Sequence, residues 1–417
     1  MGQGGRPAPQ DSRASWRRGA LLIALAGATI AGPVARAAAA EEHTLKLRMS
    51  TTLTMDANVF RLPASADLQP VLGKSSKSDE IKATSVGIRF DKAYAQQRLQ
   101  FELTGTAYRY NNFSFLNFDA FEYRGAWLWH LSPRWSGTLS SERHQSLTSF
   151  ADYRSFQRNL RSDDAHRFDL DGQVSGGWHV RAAASQTESK NSAIFLEQWD
   201  HRSTAGEAGL KYLAQSGSWV SLAQRATRGE YLNRALNPFS FFDNKFSQTD
   251  TELRANWIAS GKSTLTGRLT WLDRRHEHYA ERNFSGVAGR LEYVWLPTGK
   301  LQLKLSASRD IAFWWDATSS YYVNDTLAIA PTWRPSARTA LYLSLNRSVQ
   351  DFRGPVVPVA GSLRSDTLRS EQLGVDWLPL RNVTLNASLQ HSRRGSTLAA
   401  LEFDDTIAGV TLLLTFF

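Results

Sequence analysis

Residues 265–271 read Leu265-Thr266-Gly267-Arg268-Leu269-Thr270-Trp271. In an extended chain, side chains two apart share a face. Leu265, Leu269 and Trp271 fall on one face; Thr266, Arg268 and Thr270 fall on the other. The same alternation recurs outward in both directions. Phe168, Leu170, Gly172, Val174, Gly176 and Trp178 alternate with Asp169, Asp171, Gln173 and Ser175. Leu99 to Leu103, Tyr123 to Leu131, Leu291 to Trp295, Leu301 to Leu305, Leu341 to Leu345 and Leu373 to Trp377 repeat it. Helical period is almost absent, so the pattern predicts strands from end to end.

The predicted strands lie near 43–56, 79–91, 96–110, 117–131, 135–147, 163–178, 181–190, 199–215, 218–230, 248–260, 264–279, 284–296, 300–316, 320–333, 338–352, 366–379, 383–393 and 402–417. That makes about 18 strands, with 16 as the alternative, because 181–190 and 320–333 carry the weakest alternation. The connections alternate as well. Breakers mark short turns at Ser132-Pro133-Arg134, Ser216-Gly217, Gly261-Lys262, Pro297-Thr298-Gly299, Arg334-Pro335-Ser336 and Pro379-Leu380-Arg381-Asn382. Longer segments at 57–78, 148–162, 231–247 and 353–365 lie between them. Short turns alternating with long loops are the plan of an antiparallel transmembrane β-barrel of the outer membrane.

Eight of the 14 tryptophans, among them Trp127, Trp129, Trp135, Trp219 and Trp257, lie within a few residues of these turns, where an amphipathic ring suits the headgroup level. The chain ends in an apolar strand, 402–417, with Phe417 last and expected to face lipid. A terminal aromatic of this kind is an assembly signal, so the barrel-assembly machinery is an expected partner. Lipid supplies no hydrogen-bond partners, so a spanning sheet leaves no open edge.

Composition agrees. Apolar residues are 42%, charged residues 21% and mean hydropathy is −0.38, which excludes a helical membrane protein. The 11% aromatic content excludes bulk disorder, and the absence of cysteine excludes disulfides, thiolate metal sites and thiol catalysis. At the start, Arg6, Arg13, Arg17 and Arg18 precede the apolar run Gly19 to Ala31, then Pro33 and small residues ending in Ala38-Ala39-Ala40. This pattern predicts a cleaved signal peptide over 1–40 and one barrel domain over 41–417. Its removal lowers the formal charge from +10 to +6. The expected location is the outer membrane of a Gram-negative bacterium, with both termini periplasmic.

The parity opposite the apolar row should face the lumen. Arg98, Glu102, Arg124, Glu252, Arg254, Arg268, Arg290, Glu292 and Lys304 are therefore the candidate pore-lining residues. They form a mixed wall with a modest basic excess, suited either to a polar or anionic solute or to ion pairs that stiffen the barrel. A lumen of this size is water-filled or plugged by loops. No GxSxG, P-loop, HExxH or calcium-loop motif occurs, so neither an enzyme nor a cofactor is expected. His276 and His278 share a strand face as a weak metal pair, and Ser140, Glu142 and His144 share another without hydrolase spacing. Arg393-Arg394 points to lipopolysaccharide phosphates rather than nucleic acid.

Five stretches carry a resemblance: NVFRLP at 58–63, SVGIRFDKAY at 85–94, QRLQFE at 97–102, FLNFDAFEYRGAWLWHLSPRWSGTLSSER at 115–143 and SFADYR at 149–154. Here the chain resembles the outer-membrane barrels of exosortase (PEP-CTERM)-associated exopolysaccharide loci, the EpsL-like family. Beyond about residue 200 the likeness rests on strand rhythm and the closing Phe. The resemblance implies export or assembly of extracellular polysaccharide, with the polymer, outer-membrane lipid and periplasmic export proteins as partners. The alternative is a porin for uptake of small polar or anionic solutes.

Overall fold

The computed structural model describes residues 44–417 apart from 153–154, 317 and 360; the expected signal peptide, 1–40, lies outside the described residues. Eighteen strands form one antiparallel sheet that closes on itself. They are β1 (Leu45–Asp56), β2 (Asp79–Tyr94), β3 (Gln97–Tyr110), β4 (Phe118–Ser132), β5 (Trp135–Leu147) and β6 (Leu160–Ser175). Then come β7 (Trp178–Asn191), β8 (His201–Leu213), β9 (Trp219–Tyr231), β10 (Lys245–Ser260), β11 (Ser263–His276) and β12 (Phe284–Trp295). The last are β13 (Leu301–Asp316), β14 (Ser319–Ser336), β15 (Thr339–Arg353), β16 (Ser365–Leu380), β17 (Val383–Ser396) and β18 (Phe403–Phe416). Each pairs with its neighbours in sequence, and β1 pairs with β18 from Leu47↔Phe416 to Asp56↔Ile407, which removes the edge.

Tight turns gather at one end of the barrel and longer loops at the other. On the outer row, Leu269 is 53% exposed, Trp271 60% and Leu291 50%. Such exposure of large apolar side chains fits a wall solvated by lipid. Curvature identifies the inner row independently. Arg48 on β1 reaches over β2 to Glu102 on β3 at 3.0 Å, and Lys211 on β8 reaches over β7 to Asp171 on β6 at 3.3 Å. Side chains converge across an intervening strand only on the concave face.

Several expectations shift in detail. Trp127, Trp135, Trp178, Trp257, Trp295, Trp333 and Trp377 are exposed near the turn end, as a girdle requires. Trp219 belongs to the inner row, opposite Asn256, with the Lys211 ammonium 5.9 Å from its ring centroid. The Phe168–Trp178 alternation spans two strands rather than one, because Gly176 at φ 52° turns the chain. Pro335 lies inside β14; the turn follows it at 337–338, after a register shift between Trp333 and Ser336. Phe416, not Phe417, ends the outward row of Val410, Leu412 and Leu414; Phe417 lies beyond the strand beside the Lys46 ammonium. The residue parity of β18 was ambiguous in sequence, and only its register on β1 resolves it.

One outward position shows how little space the wall leaves. Trp129 is only 7% exposed, because its ring lies over Gly137 and stacks on Phe168 at 6.1 Å. A Cβ at Gly137 would collide with that ring and with the Asp169 carbonyl. Gly137→Val is expected to destabilise the barrel by ~1–3 kcal/mol, as overpacking does. The check is a lower temperature for conversion of the folded to the unfolded gel band; an unchanged temperature would contradict this packing.

Candidate functional site

The nine candidate residues all fall on the inner row, and pairing divides them into two groups. On one wall Arg89, Glu102, Arg124 and Glu142 stand in direct register across β2, β3, β4 and β5, with alternating sign. Opposite charges directly across a ladder stabilise it. Glu102 accepts from Arg48, Arg124 lies 3.8 Å from Glu142, and Arg98 donates to Asp91 at 2.7 and 2.9 Å. This wall is neutralised.

The second wall differs. Arg254, Arg268 and Arg290 stand in direct register on β10, β11 and β12, a row of a single sign. Their carboxylates lie off the row. Arg254 contacts Glu252, which also accepts from the Thr270 hydroxyl at 3.1 Å, and approaches Glu207 at 4.0 Å. Arg268 stands 3.9 Å from Glu252 and 3.8 Å from Asp310. Glu292 is shared by Arg290 and Lys304, each at 2.9 Å. Even so, the buried Arg254 Nε and Nη1 and Arg268 Nε have no hydrogen-bond partner among the described residues, while the Arg268 and Arg290 side chains stay partly exposed. The basic excess read from sequence is therefore largely paired, but this row keeps N–H groups unmatched. Like charges in register cost stability, so the row invites an anion.

Above these walls the loop end is filled. Val59, Phe60 and Leu68 of the β1–β2 loop pack on Ile81, Tyr110, Phe118 and Ala120 of the inner row. Phe60 meets Phe113, Phe150 and Phe156 at 4.8, 4.8 and 5.1 Å between ring centroids. A second cluster joins Tyr231, Phe246, Leu272, Phe284, Phe313, Trp314 and Phe352, and Trp199 packs against both. Arg282, 1% exposed, holds the mouth from within by donating to the carbonyls of Ser240, Phe241, Asp316 and Ser319. Burial pushes its guanidinium down to about 10, still far above neutrality.

Two ionic ties fix the loops. Arg61, 3% exposed and at φ 53°, bonds Asp56 on β1 at 2.8 and 2.9 Å and reaches Asp405 on β18 at 3.2 Å. Burial opposes its charge, but Asp56 and Asp405 outweigh that and hold the guanidinium above its ordinary value. Asp152, on the β5–β6 loop, is held by Arg394 of β17 at 2.8 Å and by Arg364 at 3.1 Å, with Asp366 completing the cluster. Strands β5 and β17 are six apart around the wall, so this tie crosses the mouth.

The Asp152 tie gives a pH test. Burial raises this carboxyl's pKa, but Arg394 and Arg364 outweigh it and hold it well below the usual range. A depressed carboxylate contributes its stabilisation above its unfolded pKa and loses it as pH falls through the folded one. The stabilisation is therefore whole at pH 7 and down to about pH 4, the ordinary Asp value, and declines only below it. Titration of Asp152 is expected to play no part between pH 8 and pH 4: any change of single-channel conductance in that range should be the same in the wild type and in Asp152→Asn. A step increase between pH 7 and 5 that Asp152→Asn abolishes would contradict it.

Other sequence candidates dissolve. His276 is 8% exposed in the second aromatic cluster, its ring 5.7 Å from Phe313, whereas His278 bonds Asp243, so they do not converge on a metal. His144 pairs with Glu122, not Ser140. Arg394 points inward to Asp366, so only Arg393 of that pair is exposed outside. Sequence reasoning missed Asp152, Arg282, Arg364 and the Arg61 staple. The ties that fix the loops, Asp152 to Arg394, Arg61 to Asp405 and Arg282 to the 240–241 and 316–319 carbonyls, join residues far apart in the chain, and loop residues carry no periodicity.

No family model and no curated protein matches the chain. Solved structures do. A BenF-like porin from Pseudomonas fluorescens Pf-5 is similar at TM-score 0.52 and 9% identity, covering 90% of this chain and 99% of that one. Pseudomonas aeruginosa OccK2 (OpdF), solved with glucuronate, is similar at TM-score 0.52 and 11% identity over 89% and 98%. Pseudomonas aeruginosa OpdK, solved with vanillate, is similar at TM-score 0.50 and 10% identity over 89% and 99%. The chain thus has the closed antiparallel 18-strand barrel fold of outer-membrane porins.

Proposed function

We propose that this barrel is an outer-membrane channel for uptake of small anionic solutes, carboxylates foremost, with its loop end outward and both termini periplasmic. The observation that carries the reading is the single-sign Arg254–Arg268–Arg290 row on the inner wall, in which the Arg268 and Arg290 side chains are each 24% exposed to the lumen. A guanidinium binds a carboxylate through two parallel N–H bonds. The nearby Glu252 and Glu292 keep such binding weak enough for release. Two proteins of the same fold were solved with carboxylate ligands, glucuronate and vanillate, which supports the class of solute.

The polysaccharide-export reading keeps the EpsL-like resemblance as its support. That resemblance falls on 58–63 and 149–154, whose described residues Phe60, Phe150 and Asp152 build the filled mouth. A hydrated polymer would need those loops to leave the mouth, whereas a small solute needs only a gap beside them.

Swelling of proteoliposomes separates the two. A benzoate-sized carboxylate is expected to enter at least threefold faster than a neutral solute of equal size, with oligosaccharides excluded. Equal rates for the carboxylate and the neutral solute would reject the anion reading, and entry of oligosaccharides would favour export.

A further inference from the structure

Arg347, Arg369 and Arg393 form a second arginine row, on the outer wall. They stand in direct register on β15, β16 and β17. All three are exposed, and none of their side chains makes an ion pair or hydrogen bond among the described residues. Three other outward arginines are paired: Arg109 with Asp119 at 2.7 Å, Arg202 with Glu188 at 2.6 Å and Arg309 with Asp325 at 2.7 Å; Arg228 on β9 is exposed and outward too, but it stands alone opposite Thr204 and Ser247 rather than in a row. The nearest carboxylates offset the row only in part. Asp404, directly opposite Arg393 and 3.7 Å from His391, balances one end, and Glu371 lies two residues along from Arg369, which leaves Arg347 and Arg369 in excess.

Cross-strand like charges are unfavourable, and the excess positive charge of three in line is offset by a counter-charge from outside the chain. Toward the turn end the same strands present Leu345, Leu373 and Leu389, exposed by 38%, 58% and 52%. The row therefore sits at the loop-side border of the apolar belt. Neighbouring strands are ~4.8 Å apart, so the three Cα atoms span roughly 10 Å, enough for one phosphorylated headgroup.

We propose that this row is a binding site for the phosphate of an outer-leaflet glycolipid, lipid A, whose acyl chains lie on Leu345, Leu373 and Leu389. Arginine matches phosphate oxygens with two N–H groups at once, and the apolar surface just below selects a lipid over a free anion. The proposal rests on the outer-membrane placement above. It is independent of what passes through the lumen.

The test uses the full chain in neutral detergent, titrated with bis-phosphorylated lipid A and read by native mass spectrometry. R347Q/R369Q/R393Q is expected to weaken retention at least tenfold. R109Q/R202Q/R309Q, with the same change of charge, should weaken it less than twofold, and dephosphorylated lipid A should not be retained. Heat-modifiable gel migration confirms that each variant is folded; if the triple fails to fold, R369Q alone carries the test with a loss of at least threefold. Retention unchanged in the row variant, an equal loss in the control, or displacement by inorganic phosphate at equal concentration would overturn the proposal. So would a change of oligomeric state in place of lipid loss. A chain silent in bilayers that still retains lipid A would sink the channel reading and leave this one standing.

Discussion

Replacing Arg254, Arg268 and Arg290 together by Gln is expected to reverse the channel's preference from anions to cations. A unit charge ~7 Å from a permeating ion is worth about 0.6 kcal/mol in a water-like dielectric. Three such charges amount to ~1.8 kcal/mol, roughly twentyfold in the permeability ratio before salt screening lowers it. The carboxylates left behind, Glu252 and Glu292, act in the same direction. Glu252 is 5% exposed, so losing its cations also strains the fold. Arg290→Gln alone avoids this, because Glu292 keeps Lys304 at 2.9 Å. It should move selectivity the same way by a smaller step. Planar-bilayer recordings check both variants; a folded triple variant with unchanged selectivity would remove the row from the solute path.

Arg61→Ala is expected to be the most damaging single substitution in the mouth. Arg61 is the cation between Asp56 on β1 and Asp405 on β18, the two strands that close the barrel. Asp56 is 2% exposed and Asp405 1%. Removing one partner of a buried ionic group costs ~3–5 kcal/mol, a large part of the ~5–15 kcal/mol that holds a typical protein folded. The folded gel band should convert at a clearly lower temperature. Conductance of the surviving channels should rise as the 57–78 loop loses its anchor. Adding Asp405→Asn removes one of the stranded carboxylates and should restore part of the loss. Wild-type heat stability in Arg61→Ala would show that the seam does not depend on the staple.

The barrel was legible in the sequence for a specific reason. Lipid outside and water inside force a period of two on every strand, so alternation alone located eighteen segments, most within a few residues of their ends. The exceptions are instructive. The turn at Gly176 was hidden because glycine and serine continue the alternation through it. The facing of β18 was hidden because both of its parities are apolar. The nine wall candidates fell on the inner row because charge on a spanning strand must avoid lipid. Their register was not legible. Nothing local shows that Arg254, Arg268 and Arg290 align while Arg89, Glu102, Arg124 and Glu142 alternate in sign; that depends on turn lengths and bulges. The mouth was least legible of all, since Asp152 meets Arg394 across 242 residues and Arg282 donates to backbone carbonyls, which carry no sequence signal.

In the proposed channel, solute passes beside the mouth loops and along an arginine row that favours anions. The most direct test of this is the reversal potential of the full-length wild-type chain in a planar bilayer under a tenfold potassium chloride gradient. Steady channels whose reversal potential has the sign of chloride selectivity are expected. A potential of the opposite sign, or a correctly folded barrel that passes no current, would contradict it.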